Sequence, residues 1–109
     1  MTEPRLASGL LVSSLLRRIG TQGGHGAVLA KGDATAGAIL LVLAERGVTR
    51  GLVERGRTAD GKDGWVVAGP RAIDEPGQLT DYIARRRRSD PDLWVVELDG
   101  PRDALAELG

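Results

Sequence analysis

Four carboxylates lie on or at the ends of predicted strands, and they are the side chains best suited to metal chemistry. They are Asp33, Glu54, Glu97 and Asp99. Carboxylates that meet across a sheet supply the oxygen ligands that Mg²⁺ prefers. Whether these four form such a site depends on the strands that carry them.

The predicted order of those strands resembles the core of restriction-endonuclease-like folds. Residues 37–42 and 51–55 are similar to the two strands on which those nucleases carry an Asp and then a Glu-x-Lys motif. Here Leu40 or Leu41 stands in place of the Asp, and Gly56 stands in place of the Lys. Because the metal is not held without the first carboxylate, we expect no metal, no cofactor and no nuclease activity on this degenerate nuclease-like core.

The densest charge cluster is a run of four arginines near the end of the second predicted helix. They are Arg85, Arg86, Arg87 and Arg88. Four consecutive helical residues spread around most of the helix circumference, so they cannot all face one groove. We therefore favour a solvated helix end, suited to the helix dipole and paired with Asp90 and Asp92, over a phosphate-binding patch.

The glycine-rich stretch at residues 23–26 contains the single histidine of the chain, His25. Glycines let backbone N–H groups approach a phosphate, but this stretch follows a helix and enters a strand, the reverse of a dinucleotide-binding turn. Lys31 is followed by Gly32 and not by Ser or Thr, so the Walker pattern is missing as well. A flexible helix-to-strand turn with a solvated histidine is the favoured interpretation.

Composition argues against several other classes of function. The 109 residues carry 15 Lys+Arg against 15 Asp+Glu, so no global charge steers the chain toward nucleic acid or an anionic membrane. There is no cysteine, which removes disulfides, thiolate zinc sites and a cysteine nucleophile. The apolar stretch at residues 9–16 lacks a signal-peptide cleavage site, and no run reaches membrane-spanning length. We expect a soluble, unprocessed, cytoplasmic protein.

The elements that position these residues are organised around an apolar run at residues 38–44. Seven apolar residues in succession predict a strand that is central in its sheet and covered on both faces, with Leu41 and Val42 nearly fully buried. Apolar spacing predicts a first helix over residues 9–21, with Ser8 as its N-cap.

The remaining segments complete an α+β fold. We predict strands at 26–31, 48–57, 65–68 and 93–98, a second helix capped by Asp74, and a short helix within 101–108. The order is helix, four-strand mostly antiparallel meander, helix and fifth strand, with the helices packed on one face of the sheet. One domain spans residues 1–109, of which 1–5 and 100–109 are expected to be loosely held.

The turn at residues 90–92 leads into the last strand. Its proline forces the second helix to end by about Ser89. Alternation along the strand places Trp94 on one face, where we expect it to pack under a helix. The same alternation places Glu97 on the other face, near the sheet margin and within reach of an arginine.

Three stretches of the chain carry a resemblance to a known family. They are residues 9–18, residues 32–38 and, most specifically, the Arg-x-x-Asp-Pro-Asp-Leu-Trp pattern of residues 87–94. Together they resemble a small bacterial family known only as domain of unknown function 1491, and the likeness extends from about Arg5 to Asp99. The family carries no assigned activity, cofactor or catalytic residue, so the resemblance implies a single domain and leaves function open.

The sequence favours a non-catalytic domain that binds another protein or a second copy of itself, with no membrane contact. It shows no metal-ligand set, no nucleophile beside a base and no complete phosphate loop. The alternative is a phosphate- or nucleic-acid-binding protein that combines the 85–88 helix end with Arg50, Arg55 and Arg57. Clustering of these arginines on one face would favour the alternative. The candidate binding or paired-charge residues are Asp33, Arg85, Arg86, Arg87, Arg88, Asp90, Asp92, Trp94 and Glu97.

Overall fold

The computed structural model describes residues 6–69, 75 and 77–106. Its elements are α1 (Ser8–Thr21), β1 (His25–Ala30), β2 (Ile39–Glu45), β3 (Val48–Arg57), β4 (Asp63–Val67), α2 (Gln78–Ser89), β5 (Trp94–Asp99) and α3 (Arg102–Ala106). The predicted α+β class and the predicted order of elements are confirmed.

The five described strands form one sheet in the order β1-β5-β2-β3-β4. Strands β2, β3 and β4 form an antiparallel meander, but β5 lies between β1 and β2, antiparallel to the first and parallel to the second. The predicted four-strand meander is therefore a three-strand meander, and β1 joins the sheet through β5. The physical reason is that β2 and β5 are both apolar on both faces, which suits two neighbouring strands at the centre of a sheet.

Helices cover both faces of the sheet and not one face as predicted. On one face, α1 packs Val12, Leu15 and Ile19 against a cluster that includes Trp94 and Leu41. The apolar side chains of the opposite face pack against α2. They are Leu40, Val42, Leu52, Leu93 and Val95, with Leu79, Tyr82 and Ile83 of α2 against them. Two apolar faces require cover on two sides, since either one left open would expose its core residues to water.

The centre of the sheet is fully buried, as the sequence predicts. Leu41 and Val42 are both 0% exposed, although they point to opposite faces. Trp94 packs under α1, as predicted. At the chain end, α3 buries Ala104 in the same cluster.

The predicted caps of the two long helices need correction. Ala7 is the N-cap of α1, and Ser8 is the first helical residue, whose buried hydroxyl donates to the carbonyl of Gly37 at 2.6 Å. The free N–H groups at the start of α1 donate to carbonyls of the β1–β2 connection, which performs the capping that a side chain would otherwise provide. Helix α2 begins at Gln78, and the predicted cap Asp74 lies outside the described residues.

Replacing Leu41 by alanine should lower the free energy of unfolding by about 2–5 kcal/mol, because the change removes buried methyl groups and leaves a cavity. Chemical denaturation measures the effect. Leu10→Ala is the matched control, since Leu10 is 63% exposed and its truncation should cost less than about 0.5 kcal/mol. Equal stability of the two variants would contradict the central position of β2.

Candidate functional site

One end of the sheet brings together three of the predicted site residues, Asp33, Asp92 and Trp94. The indole Nε1–H of Trp94 donates to the carbonyl of Asp33 at 2.8 Å, and the N–H of Asp33 donates to the carbonyl of Asp92 at 3.0 Å. The Asp33 carboxylate accepts from the N–H groups of Thr35 at 3.1 Å and Ala36 at 2.8 Å. Asp33 therefore shapes its own loop and fastens it to the start of β5. We call residues 32–37 with residues 92–94 the loop junction.

Glycines make the loop junction possible. A Cβ atom on Gly32 or Gly37 would overlap the carbonyl oxygen of Asp92, so neither position has room for a side chain. The start of α1 joins the same place, because the N–H of Gly9 donates to the carbonyl of Ala34 at 2.8 Å. All three stretches that carry the family resemblance thus meet at the loop junction.

Arg87 closes the loop junction from the α2 side. Its Nη1 donates to the carbonyls of Pro91 at 2.6 Å, Leu93 at 2.7 Å and Lys31 at 3.3 Å. Carbonyls at and beyond a helix end lack helical partners, and a nearby cation can satisfy them. The role of Arg87 in this geometry is to hold the backbone.

The predicted ion pairs of the arginine run with Asp90 and Asp92 are not found among the described residues. The Asp90 carboxylate accepts instead from the N–H of Asp92 at 3.2 Å, which forms a local turn. Arg87 donates to the carbonyl oxygens of Pro91 and Leu93 and not to either carboxylate.

Arg86 has a different partner. Its Nη1 lies 2.5 Å from Oε1 of Glu54 on β3 and 2.9 Å from the hydroxyl of Tyr82. The hydrogen bond to Glu54 is the main cause that raises the pKa of the Arg86 guanidinium above its ordinary value. Arg86 therefore stays a cation, and its contact with Glu54 joins α2 to the meander.

The arginines named for nucleic-acid binding do not share one face. Arg50 and Arg55 line clefts on the α1 side of the sheet, whereas Arg85 and Arg88 lie on α2, which packs on the opposite side. The two sets cannot contact one rigid ligand surface together. Clustering of these arginines on one face would have favoured nucleic-acid binding, so their separation counts against that alternative.

Glu97 lies on the interior strand β5, opposite Ala27 on β1 and Val42 on β2. The predicted position at the sheet margin is wrong, because the fifth strand is inserted between the first two. Glu97 is half-buried, and within residues 6–69, 75 and 77–106 it has neither an ion pair nor a hydrogen bond. The predicted arginine partner is therefore not found there.

The last of the four carboxylates, Asp99, closes the β2–β3 turn. Its two oxygens accept from the N–H groups of Arg46 at 3.0 Å and Gly47 at 2.8 Å. Both turn residues have positive φ, so this is a turn that the carboxylate stabilises directly. In the part of the chain that the structure describes, no group of three or more metal-binding side chains could hold an ion.

The α1 side of the sheet is covered unevenly. Helix α1 lies against β1 and β5, and the residues of β3 and β4 on the same side stay partly open. Val53 and Trp65 are half-buried, and Val67 is 88% exposed. The register places Val53 between Leu41 and Val67, which fixes all three on the α1 side. We call this strip, with the two clefts at its ends, the β3–β4 groove.

The two clefts lie at opposite ends of the groove. One has a volume of about 740 Å³ and lies between the start of α1, the β1–β2 connection and Arg55. The other has a volume of about 400 Å³ and lies between α3 and Leu43. Ile39 lines the first cleft and Leu43 the second, so the clefts are roughly 13 Å apart along β2 at the usual rise of a strand.

Positive side chains surround the groove. They are Arg50, Arg55, Arg57 and Arg102. The guanidinium of Arg55 lies over the ring of Trp65, 5.6 Å from its centroid. Arg50 and Arg102 share one carboxylate, with Oε1 of Glu45 at 3.8 Å and 4.0 Å from their nitrogens. The sequence pointed to Arg50, Arg55 and Arg57 as candidates. Trp65 and the groove were missed, although Trp65 is one of only three aromatic residues and an aromatic on a polar meander is a usable signal.

No described helix has the length and apolar character needed to cross a membrane.

The fold is a five-strand α+β sheet with one helix packed on each face and a short terminal helix, and this architecture occurs in solved proteins. Residues 6–106 match the family described as protein of unknown function DUF1491, and the chain belongs to that family. This confirms the resemblance seen in the sequence. Comparison with the curated proteins finds no match.

Solved structures of the same family resemble this chain over most of its length. A crystal structure of a DUF1491 family protein from Caulobacter crescentus is 36% identical with a TM-score of 0.74, covering 87% of this chain and 88% of that one. An NMR structure of a DUF1491 family protein from the same organism is 32% identical with a TM-score of 0.73, covering 92% and 90%. The solution structure of protein Atu0922 from A. tumefaciens is 30% identical with a TM-score of 0.69, covering 91% and 89%. These likenesses do not confirm a nuclease-like core.

Removing the charge of Arg87 should destabilise the loop junction. We expect Arg87→Met to lower the free energy of unfolding by about 1–3 kcal/mol, because hydrogen bonds from a charged donor to three backbone carbonyls are lost while the stem is kept. Arg88→Met on the exposed side of the same helix is the control and should have little effect. Urea denaturation of both variants decides the matter, and an equal loss would show that Arg87 has no special role.

Glu97→Gln should change the free energy of unfolding by less than about 0.5 kcal/mol, because no described residue pairs with this carboxylate. Glu54→Gln is the matched comparison. It weakens the contact with Arg86 and should cost about 1–3 kcal/mol. Thermal and chemical denaturation measure both. A large loss with Glu97→Gln would show that this carboxylate has a stabilising partner after all.

Proposed function

We propose that this protein is a non-catalytic, single-domain binding protein of the cytoplasm that engages another protein through the β3–β4 groove. The observation that supports this proposal is the strip of Val53, Trp65 and Val67 that α1 leaves uncovered. Exposed apolar strips rimmed by polar residues are typical of interaction surfaces. The absence of cysteine fits a reducing compartment.

The contacts that the polar residues make support a non-catalytic role. Asp33 and Asp99 accept backbone hydrogen bonds that shape turns, Arg87 donates to backbone carbonyls, and Arg86 pairs with Glu54. Catalytic acids, bases and anion-binding groups are normally directed into a cleft that a substrate can enter. The polar atoms of these side chains are instead occupied by contacts within the chain.

The alternative of phosphate or nucleic-acid binding has weaker support. It drew on two sets of arginines, and those sets lie on opposite sides of the sheet. Stacking platforms are also scarce, because the chain has 2 Trp, 1 Tyr and no Phe. A degenerate nuclease core remains a hypothesis from strand order alone.

Site-specific photocrosslinking in a bacterial host that carries this gene tests the proposal. A photoreactive amino acid at Val67, in the groove, should give discrete protein adducts, because this side chain is open to solvent beside the apolar strip. The same amino acid at Ala84, exposed on the outer side of α2, is the matched control and should give none of those adducts.

A second substitution links the adducts to the groove. Trp65→Ala in the chain that carries the crosslinker should reduce the Val67 adducts several-fold, while circular dichroism confirms that the domain is folded. The proposal fails if Val67 and Ala84 give the same adducts, or if Val67 gives none.

A further inference from the structure

We infer that the segment bound in the β3–β4 groove is an acidic amphipathic helix supplied by a partner protein, an inference that rests on the proposed function. Three properties of the groove point to such a segment. They are its width, the separation of its two clefts and the sign of the charge around it.

The width of the groove fits one helix. Neighbouring strands lie about 4.8 Å apart, so a five-strand sheet is roughly 19 Å across between its outer strands. One helix with its side chains covers about 10 Å of that width. Helix α1 lies against β1 and β5, and the strip left beside it over β3 and β4 is therefore about as wide as a second helix.

The length of the groove sets the spacing of apolar anchors. The clefts lined by Ile39 and Leu43 are roughly 13 Å apart. A helix rises about 1.5 Å per residue, so side chains about eight residues apart on one face reach both clefts. Val53 lies between the clefts and would contact the anchor one turn along. Apolar residues at i, i+4 and i+8 satisfy all three positions.

The positive charge of the groove favours a partner helix whose polar face is acidic. Among the described residues around the groove, four arginines stand against two carboxylates, Glu45 and Asp63, in a chain whose formal charge is zero. Glu45 lies near both Arg50 and Arg102, so in the described part of this end one carboxylate faces two cations. A partner with Glu or Asp beside its apolar stripe would complete these pairs, whereas Lys or Arg at the same positions would be repelled.

Nucleic acid and a second copy of the chain are less suited to the groove. Its floor is made of aliphatic side chains with one indole, which offers little for phosphates or bases to contact. A second copy presents a groove of the same positive sign, so its approach would bring arginines against arginines.

Two synthetic helical peptides of about 16 residues test the inference directly. Both carry Leu at i, i+4 and i+8, and they differ only in having Glu or Lys on the remaining face. Fluorescence anisotropy with the full chain should show saturable binding of the Glu peptide and at least tenfold weaker binding of the Lys peptide, weakening for the Glu peptide as salt is raised.

Charge reversal locates the binding site. Arg50→Glu with Arg102→Glu should weaken binding of the Glu peptide about tenfold, since each reversal replaces an attraction by a repulsion. These side chains are 55% and 80% exposed, so the domain should stay folded, which a thermal melt verifies. The matched control is Arg85→Glu with Arg88→Glu on the opposite side of the sheet, which should leave binding unchanged.

The possible outcomes separate the inference from the proposed function. Equal affinity for the two peptides, no binding of either, or equal effects of the two double variants would overturn the acidic-helix inference. The groove would still be an interaction surface if Val67 gave its specific adducts. A duplex DNA oligonucleotide that binds more tightly than the Glu peptide, or self-association lost in Arg50→Glu with Arg102→Glu, would replace the helix by nucleic acid or by a second copy.

Discussion

The parallel pairing of β5 with β2 is the constraint on which the rest of the structure depends. Strand β4 ends the meander at one edge of the sheet, while the position of β5 lies on the far side of β2. The chain must therefore cross back over a face of the sheet, and α2 makes that crossing with Leu79, Tyr82 and Ile83 against the sheet. Since β2 and β5 are apolar on both sides, α1 must then cover the other face.

The loop junction holds this arrangement in register. Backbone hydrogen bonds from Asp33 and Trp94 tie the β1–β2 connection to the start of β5, and Ser8 ties α1 to the same connection. The three stretches that carry the family resemblance in the sequence are therefore largely those that build the loop junction. The family match covers residues 6–106, the β3–β4 groove included, but the family is described only as of unknown function, so membership identifies the fold and says nothing of what the groove binds.

Apolar pattern predicts much of this fold and almost nothing of its strand order. The run at residues 38–44 identifies the central strand, and alternation correctly places Trp94 and Glu97 on opposite faces. Alternation cannot say which strand lies beside β5, because both possible neighbours present similar apolar surfaces. The prediction that Glu97 lies near the sheet margin is wrong for that reason. Ser8 was expected as a cap because its type suits one, and only the tertiary contact with Gly37 reveals its actual use.

The groove was hidden from sequence reasoning for a related reason. Whether Val53 and Trp65 are buried or exposed depends on which strands α1 covers. The apolar periodicity of the helix does not determine which strands those are. Three of the four arginines lie on β3 and the fourth lies on the terminal helix α3, so their proximity exists only after folding. Charge clusters that are compact in sequence, such as residues 85–88, attract more attention and here are divided among different contacts.

The insertion of the last strand between the first two has a consequence for synthesis on the ribosome. Strand β1 emerges early but has no neighbour in the sheet until β5 follows. One edge of the apolar strand β2 also stays unpaired until β5 emerges. The meander of β2, β3 and β4 can pair locally, yet one side of it stays bare until β5 has left the exit tunnel. Translation pauses between β4 and β5 would therefore prolong the state most prone to aggregation, and chaperones that shield apolar strands would act at that stage.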